Sequence, residues 1–441
     1  MMKFLLAILL TLLTFQLNAQ STSWLQTSTP QHDRYDDVFF MDADTGWAIA
    51  PYVGWLNMRG RIEKTTDGGQ SWTTVRDSVG DLLRCVSFFD AQTGFIGNLE
   101  TGQSPADTAI MLHTQDGGLT WDPVPNLPGP RPGGVCGMHA VTDSLMYAVG
   151  RYYGPAGIYK TTDKGASWTY MAVDSIAGGL VDVHFWTPDS GIVVGSSGVD
   201  FADSSGVIIA TYDGGQSWKR VYVTEHDERI CWKISFPSRN VGYVSIQPFG
   251  SAWGKRFIKT TDGGFTWNEY NFGTGTYSAQ GIGFINDSVG WIGGHWNGFA
   301  NPMTTDGGQT WTNDVWGQDI NRFRIFNDSL AFACGEFVWK FNGFILAGLP
   351  GQLPSDYKVS LLYPNPTTDR ATIEVTIPAA LQLEMRVFDP SGRECLYQIS
   401  GEYAAGTHQM EFGVEDFPAG TYLAQIQLGN YMHTQRFTIA R

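Results

Sequence analysis

The chain has 441 residues, with 28 basic and 43 acidic side chains, a formal net charge of −15 and a pI near 4.9. That balance excludes a nucleic-acid phosphate backbone as the principal partner. With 53 Gly and 16 Trp but only 16% charged residues, the composition excludes a disordered chain and points to many tight turns between apolar strands.

Residues 1–19 read as a secretory signal peptide: Lys3 supplies the basic start, Phe4 to Leu13 a short apolar run, and Ala19 a small residue before Gln20. That run is too short to span a bilayer, and no other stretch approaches ~18 apolar residues, so no integral membrane span is expected. The five cysteines, Cys85, Cys136, Cys231, Cys334 and Cys395, have no zinc or redox spacing. They read as small buried hydrophobes, with one disulfide left open.

An internal repeat organises the next 300 or so residues. Thr65-Thr66-Asp67-Gly68-Gly69-Gln70-Ser71-Trp72 returns five more times, ending at Trp121, Trp168, Trp218, Trp267 and Trp311. Its fixed points are Asp67, Gly69 and Trp72; Asp116, Gly118 and Trp121; Asp163, Gly165 and Trp168; Asp213, Gly215 and Trp218; Asp262, Gly264 and Trp267; Asp306, Gly308 and Trp311. Steps of 44 to 50 residues between the tryptophans suit one four-stranded propeller blade. In each box the Asp is expected to accept from a backbone N–H two residues on, the second Gly to supply a positive φ, and the Trp to pack on neighbouring strands. Between boxes lies a strand–turn–strand element such as Phe88-Phe89-Asp90-Ala91-Gln92-Thr93-Gly94-Phe95, the inner hairpin of a blade.

Seven inner hairpins face only six boxes. Glu336 to Gly343 reads as a strand and turn without its box, and Ser23-Trp24-Leu25-Gln26 matches Ser71-Trp72-Thr73-Thr74. The N-terminal strand is therefore expected to complete the last blade and close the ring. The reading is all-β: a seven-bladed propeller over residues 21–345, with a six-bladed ring as runner-up, a linker over 346–356, and a small Ig-like β-sandwich over 357–441, where apolar and polar residues alternate in short runs.

The box resembles the Asp-box (BNR) repeat of sialidases, sortilin-type receptors and photosystem II assembly-factor-like propellers, and the blade count is most similar to the last group. That resemblance implies structural boxes on the rim, away from ligand sites. The C-terminal module resembles the sorting domain of the type IX secretion system of Bacteroidota. The matching residues are Tyr363-Pro364-Asn365-Pro366 at its start and Pro418, Gly420 and Tyr422 later. This implies handling by the type IX machinery and delivery, via the periplasm, to the outer-membrane surface or the medium.

Catalytic signatures are sparse. Arg61-Ile62-Glu63 lacks the proline of the sialidase arginine strand, and there is no nucleophile elbow, metalloprotease motif or P-loop. A glycosidase needs two carboxylates flanking the sugar; Asp227 and Glu228 read instead as an exposed acidic loop. No catalytic residue, metal or cofactor is assigned. The face opposite the boxes is expected to carry the irregular loops, and its aromatic and basic residues are the binding candidates: Trp55, Arg59, Arg61, Tyr152, Tyr153, Arg229, Trp253, His295, Trp296 and Trp316. Arg84 and Arg322 each stand four residues before an inner-strand Phe and are expected to ring the central channel. The favoured function is a non-catalytic protein that recognises a glycan or a protein. A glycoside hydrolase of the sialidase or xyloglucanase sort and an envelope assembly or structural factor are the alternatives.

Overall fold

The computed structural model describes residues 24–441 apart from 52–59, 81, 101–108, 131–132, 201–202, 250–253, 276, 296–299, 328, 342–356, 361, 390–393 and 429–430. The chain divides after Ile345 into two compact units. The described residues of the first form seven four-stranded antiparallel sheets, so the ring has seven blades and the six-bladed reading falls away. Blade 1 is typical: Asp37–Phe40, Gly46–Ala50, Arg61–Thr65 and Thr73–Asp77 follow one another outward. The innermost strands of blades 2 to 7 are Leu83–Phe88, Gly137–Ala140, Gly179–Phe185, Arg229–Ser235, Ser278–Phe284 and Arg322–Asn327.

Ring closure follows the expectation. Trp24–Gln26 pairs antiparallel with Val338–Phe341, Trp24 opposite Phe341, as the outer strand of blade 7. Each innermost strand leaves one edge toward the channel, and its N–H groups need partners. Neighbouring blades supply them. Asp37 Oδ2 accepts from Val86 N at 3.1 Å, His139 Nδ1 from Phe185 N at 2.9 Å, Asp182 Oδ2 from Ile234 N at 3.1 Å and Ser235 Oγ from Phe284 N at 3.0 Å.

The boxes tie each blade's outer turn to its inner hairpin. The N–H of Gly68 donates to Asp44 O (2.8 Å), Gly117 to Gln92 O (2.9 Å) and Gly307 to Ser288 O (2.7 Å), which places both turns on one face. Within the box the geometry differs from a two-residue Asx turn. Asp67 Oδ1 accepts from Ser71 N, four residues on, at 2.9 Å, while Thr65 Oγ1 donates to Asp67 Oδ1 (2.8 Å) and accepts from Gly69 N (3.0 Å). The turn spans five residues because Gly68 and Gly69 both take positive φ, 69° and 89°. The box Trp packs edge-on against its own blade's inner Phe, as in Phe88–Trp121 at 5.8 Å and Phe185–Trp218 at 6.0 Å. That Phe lies flat over the hairpin Gly: a Cβ on Gly94 would meet the Phe88 ring at 2.5 Å.

A second regularity, recurring at alternate blades, ties each of them to its neighbour. Lys64, Lys160, Lys259 and Lys340, each one residue before the box Thr position, donate to a box carbonyl of the next blade (Gly117, Gly214, Gly307 and Gly68) at 2.7–3.3 Å. Each also lies 5.3–5.4 Å from the centroid of an aromatic ring on its own second strand: Trp47, Tyr147, Tyr243 and Phe332. Those rings stack on the next blade's inner Phe at 3.5–3.8 Å.

The second unit is a two-sheet sandwich. Lys358–Val359, Arg370–Ile377 and Gly406–Gly413 form one sheet; Glu394–Tyr403, Leu381–Phe388, Gly420–Leu428 and Tyr431–Ile439 form the other. Strict alternation along Arg370–Ile377 sends Ala371, Ile373, Val375 and Ile377 into a core shared with Leu383, Met385, Val387 and Phe437. All five cysteines are free thiols; four are buried, and Cys395 is half-buried.

Candidate functional site

The centre of the propeller holds charge. Arg322 of blade 7 crosses the channel to Asp182 of blade 4, its two terminal nitrogens donating to the two carboxylate oxygens at 2.9 and 3.0 Å. Its Nε stands 3.0 Å from Asp37 of blade 1, which also pairs with Arg324 at 3.2 Å. Toward the face away from the boxes, Arg84 of blade 2 is ion-paired with Asp36, and Arg34 meets the same carboxylate at 2.6 Å. The Arg84 guanidinium lies 5.7 Å from the Tyr152 ring and 5.6 Å from the Trp232 ring. Trp232 Nε1 donates to Asn321 Oδ1 at 2.9 Å, whose amide donates to Asp36 O at 2.6 Å. Lys233, from blade 5, is buried and interacts electrostatically with both Arg322 and Asp182.

Burial and charge set the protonation states. Desolvation pushes the Asp182 carboxyl upward, but Arg322 and Lys233 outweigh it and hold the group at about 2. Desolvation of Asp36 is likewise outweighed by Arg34 and Arg84, and the carboxyl stays below its ordinary range. Burial lowers the Lys233 ammonium to about 8. One layer closer to the boxes, His139 and His184 stack at 5.3 Å and are pushed by burial down to about 4 and 3.

The structure brings Arg84, Arg322 and Tyr152 into this network. The two arginines sit in successive layers rather than one ring. Phe326 falls in the register shift between Ile325 and Asn327, and Arg84 in the one between Leu83 and Cys85, so equal spacing from a Phe does not give equal register. Tyr152 and Tyr153 occupy the turn between Met146–Gly150 and Gly157–Thr161, packed edge-to-face at 4.5 Å, with Arg151 3.8 Å from the Tyr153 ring. The other candidates lie elsewhere. Trp316 is 3% exposed and stacks on Trp24 at 4.4 Å, so it is part of the core between blades 6 and 7, not a loop platform. Arg229 is buried against Glu269 at 2.6 Å, where Arg256 joins at 2.8 Å. Arg61 stands 3.6 Å from Glu63 and 3.9 Å from Asp77 on the outer half of blade 1. His295 ends the second strand of blade 6, 3.1 Å from Asp319. Trp55, Arg59, Trp253 and Trp296 lie outside the described residues.

Sequence reading missed Asp36, Asp37, Asp182, Trp232 and Lys233. A signal was present: Asp182 interrupts Leu180-Val181 and Val183, and Lys233 interrupts Ile230-Cys231-Trp232 and Ile234. A charge inside an apolar inner-strand run has to be buried and paired. Asp227 is exposed and accepts from Ser205 Oγ at 2.5 Å, which fits an acidic surface loop.

In the sandwich, the opening sorting motif meets the last strand. Tyr363 N donates to Thr372 O (3.0 Å), Asn365 Oδ1 accepts from Thr438 N (2.9 Å), and Ala440 N donates to Thr367 O (2.9 Å). Pro364 and Pro366 are exposed on either side of Asn365. Tyr422 is buried, its hydroxyl donating to Pro418 O at 2.9 Å, two residues after Gly420 opens the strand.

Residues 16–179 match the family model described as photosynthesis system II assembly factor YCF48, and residues 361–440 match that of the secretion system C-terminal sorting domain. The first match lies in the propeller and the second spans the sandwich, so the chain resembles a Ycf48-type propeller followed by a secretion-system sorting domain. The photosystem II assembly lipoprotein Ycf48 of Synechococcus sp. (strain CC9902) is 27% identical over 335 residues, covering 72% of this chain and 87% of that protein. Among solved structures, YCF48 bound to D1 peptide is 21% identical with a TM-score of 0.53, over 73% of this chain and 97% of that one. The GH74 xyloglucanase of Xanthomonas campestris is 14% identical with a TM-score of 0.54, over 80% of this chain and 59% of that one. At these identities the structural likenesses establish the propeller fold alone. The sorting domain marks the protein for Bacteroidota-type export through the type IX system, to the cell surface or the medium. Among the described residues no helix is long and apolar enough to cross a membrane.

Proposed function

We propose that this protein works outside the cell as a non-catalytic recognition propeller, binding a protein segment on the face opposite the Asp boxes. One observation carries the reading: the half-buried Arg151, Tyr152 and Tyr153 share one turn, Arg151 3.8 Å from the Tyr153 ring and Tyr152 packed edge-to-face on Tyr153 and over the buried Arg84. Flat rings next to fixed guanidinium groups recognise peptide carbonyls and carboxylates well. A propeller of the same fold holds a peptide in its solved complex, which supports a protein ligand before a glycan. The signal peptide over 1–19 and removal of the sorting domain near 346–356 belong to the same proposal.

The hydrolase alternative finds less support. The channel carboxylates Asp36 and Asp182 are each paired with arginine and held below the ordinary carboxylate range, which opposes a general-acid role there. The test is to probe the exported protein against a peptide array of surface proteins and a glycan array in parallel. Peptide binding that is lost in Tyr153→Ala and Trp55→Ala, with melting temperature unchanged, supports the reading. Glycan binding alone, or peptide binding untouched by both variants, overturns it.

A further inference from the structure

We propose that the sealed middle of the propeller channel is a small-anion site, in which Lys233 and Arg84 hold one monovalent anion of halide or carboxylate size. The charge inventory requires a partner there. Among the described residues, five cations, Arg34, Arg84, Lys233, Arg322 and Arg324, accompany three carboxylates, Asp36, Asp37 and Asp182, in a chain whose overall charge is −15. The carboxylates are already committed. Asp182 accepts twice from Arg322 and once from Ile234 N. Asp37 takes Arg322, Arg324 and the N–H groups of Val38 and Val86. Asp36 takes Arg34 and Arg84.

What remains is a set of donors. Lys233 is 1% exposed and its Nζ has no hydrogen-bond partner among the described residues; Arg84 is 3% exposed and its Nε and Nη2 likewise have none. Arg322, Asp182, Asp37 and Arg84 all act electrostatically on the buried Lys233 ammonium, and Arg322 itself bonds Asp182 and Asp37. A buried cation without a counter-charge carries a large desolvation penalty. Loss of the proton would remove that penalty, but an ammonium held at about 8 is still mostly protonated at neutral pH. A small anion satisfies the donors and cancels part of the positive remainder. A small monovalent ion is the occupant proposed because Lys233 and Arg84 are almost wholly buried and the Tyr152 and Trp232 rings lie 5.7 and 5.6 Å from the Arg84 guanidinium. The inference goes beyond the recognition reading, because a site sealed in this way is closed to a large ligand.

The full chain is crystallised and soaked in sodium bromide, and data are collected at the bromine edge. The expected result is an anomalous peak within hydrogen-bond reach of Lys233 Nζ and Arg84. In solution, at constant ionic strength, replacing gluconate by bromide is expected to raise the melting temperature by about 2 °C in a saturable way. Acetate reproducing the rise and displacing the bromide peak would identify a carboxylate as an acceptable occupant; failure to do so would restrict the site to halide. Lys233→Met is expected to abolish both the peak and the anion dependence. If that variant does not fold, the wild-type crystals still decide: bromide at the surface only, with melting temperatures equal in all three salts, overturns the proposal.

Discussion

Arg322 and Asp182 stand on opposite sides of the ring, blades 7 and 4, and meet across the channel through two parallel hydrogen bonds of 2.9 and 3.0 Å. A bidentate guanidinium–carboxylate pair fixes direction as well as distance. Here it joins blades that share no sheet contact, so the channel is braced from within. Removing one partner leaves the other charged and buried, and Asp182→Ala is expected to cost about 3–5 kcal/mol. Replacing both, Asp182→Leu with Arg322→Met, is expected to cost less than Asp182→Ala alone, since Asp37 keeps Arg324. Denaturant unfolding of the two variants checks the order; a double variant weaker than the single one would contradict it.

Trp316 tests whether an aromatic counted as a loop platform is instead part of the core. It stacks on Trp24 of the closing strand and meets Phe323 and Trp339 edge-on at 6.1 and 5.7 Å. Trp316→Ala is expected to destabilise the propeller by about 3–5 kcal/mol, as for other buried large-to-small changes, and to loosen the seam where the ring closes. A thermal melt near the wild-type value would show that the side chain carries no packing role.

The contrast between Trp316 and Trp72 explains what the sequence could disclose. Blade number, ring closure and the sandwich were legible because each rests on a local pattern: a turn needing two positive-φ glycines, a strand alternating inward and outward, a lone Ser-Trp without its box. The channel was not legible, because Arg322 and Asp182 are 140 residues apart and meet only when seven blades close. Arg84 and Arg322 were found from spacing alone, but irregular register at Phe326 and at Arg84 itself put them in different layers. Trp316 has the surroundings of a loop in sequence, and only the position of Trp24 reveals what covers it.

The lysine clamps predict a pattern of stability. Lys160 donates to Gly214 O at 2.7 Å and covers Tyr147, and Lys259 does the same with Gly307 O at 2.8 Å and Tyr243. Lys219 also lies over a ring, Tyr212, but on an exposed outer strand. Lys160→Met and Lys259→Met are expected to cost about 1–2 kcal/mol each, the sum of a lost hydrogen bond and a lost cation–π contact. Lys219→Met is expected to cost less than about 0.5 kcal/mol. Equal losses at all three sites would remove the clamp from the account.

Acid stability divides into two windows. The box carboxylates Asp67, Asp116, Asp163, Asp213, Asp262 and Asp306 are lowered to about 2, with hydrogen bonds from the box Ser or Thr as the chief favourable cause. Their folded values lie below the unfolded ~3.9, so their contribution is complete above that pH and is lost as pH falls toward 2. His139 and His184 act earlier. Burial lowers them from 6.5 to about 4 and 3, the unfolded chain binds their protons first, and stability drops as pH falls below 6.5. His184→Phe keeps a ring between His139 and Phe236 and removes one of these protons. Its stability is expected to fall less steeply than wild type between pH 6.5 and 4, with the lower window unchanged. A pH series of denaturant melts checks this, and parallel slopes would exclude the histidine pair as the source.

The sorting domain offers a prediction about export. Asn365 Oδ1 accepts from Thr438 N, and Thr367 brackets the same strand through Thr438 O and Ala440 N, so the opening motif is fastened to the chain's last strand. Tyr422 fills the core beside Phe437 and bonds back to Pro418. Tyr422→Ala is expected to unfold this small sandwich, since about 3–5 kcal/mol is a large share of a small domain's stability. Asn365→Ala removes one hydrogen bond at an exposed site, about 1 kcal/mol, and leaves the sandwich folded. Export measured as the ratio of surface plus medium to periplasmic protein is expected to collapse in Tyr422→Ala. If the sorting machinery reads the exposed Tyr363-Pro364-Asn365-Pro366 segment itself, export falls in Asn365→Ala as well, although its melting temperature is nearly that of wild type. Full export with Asn365→Ala would mean that the segment serves only to fasten the last strand.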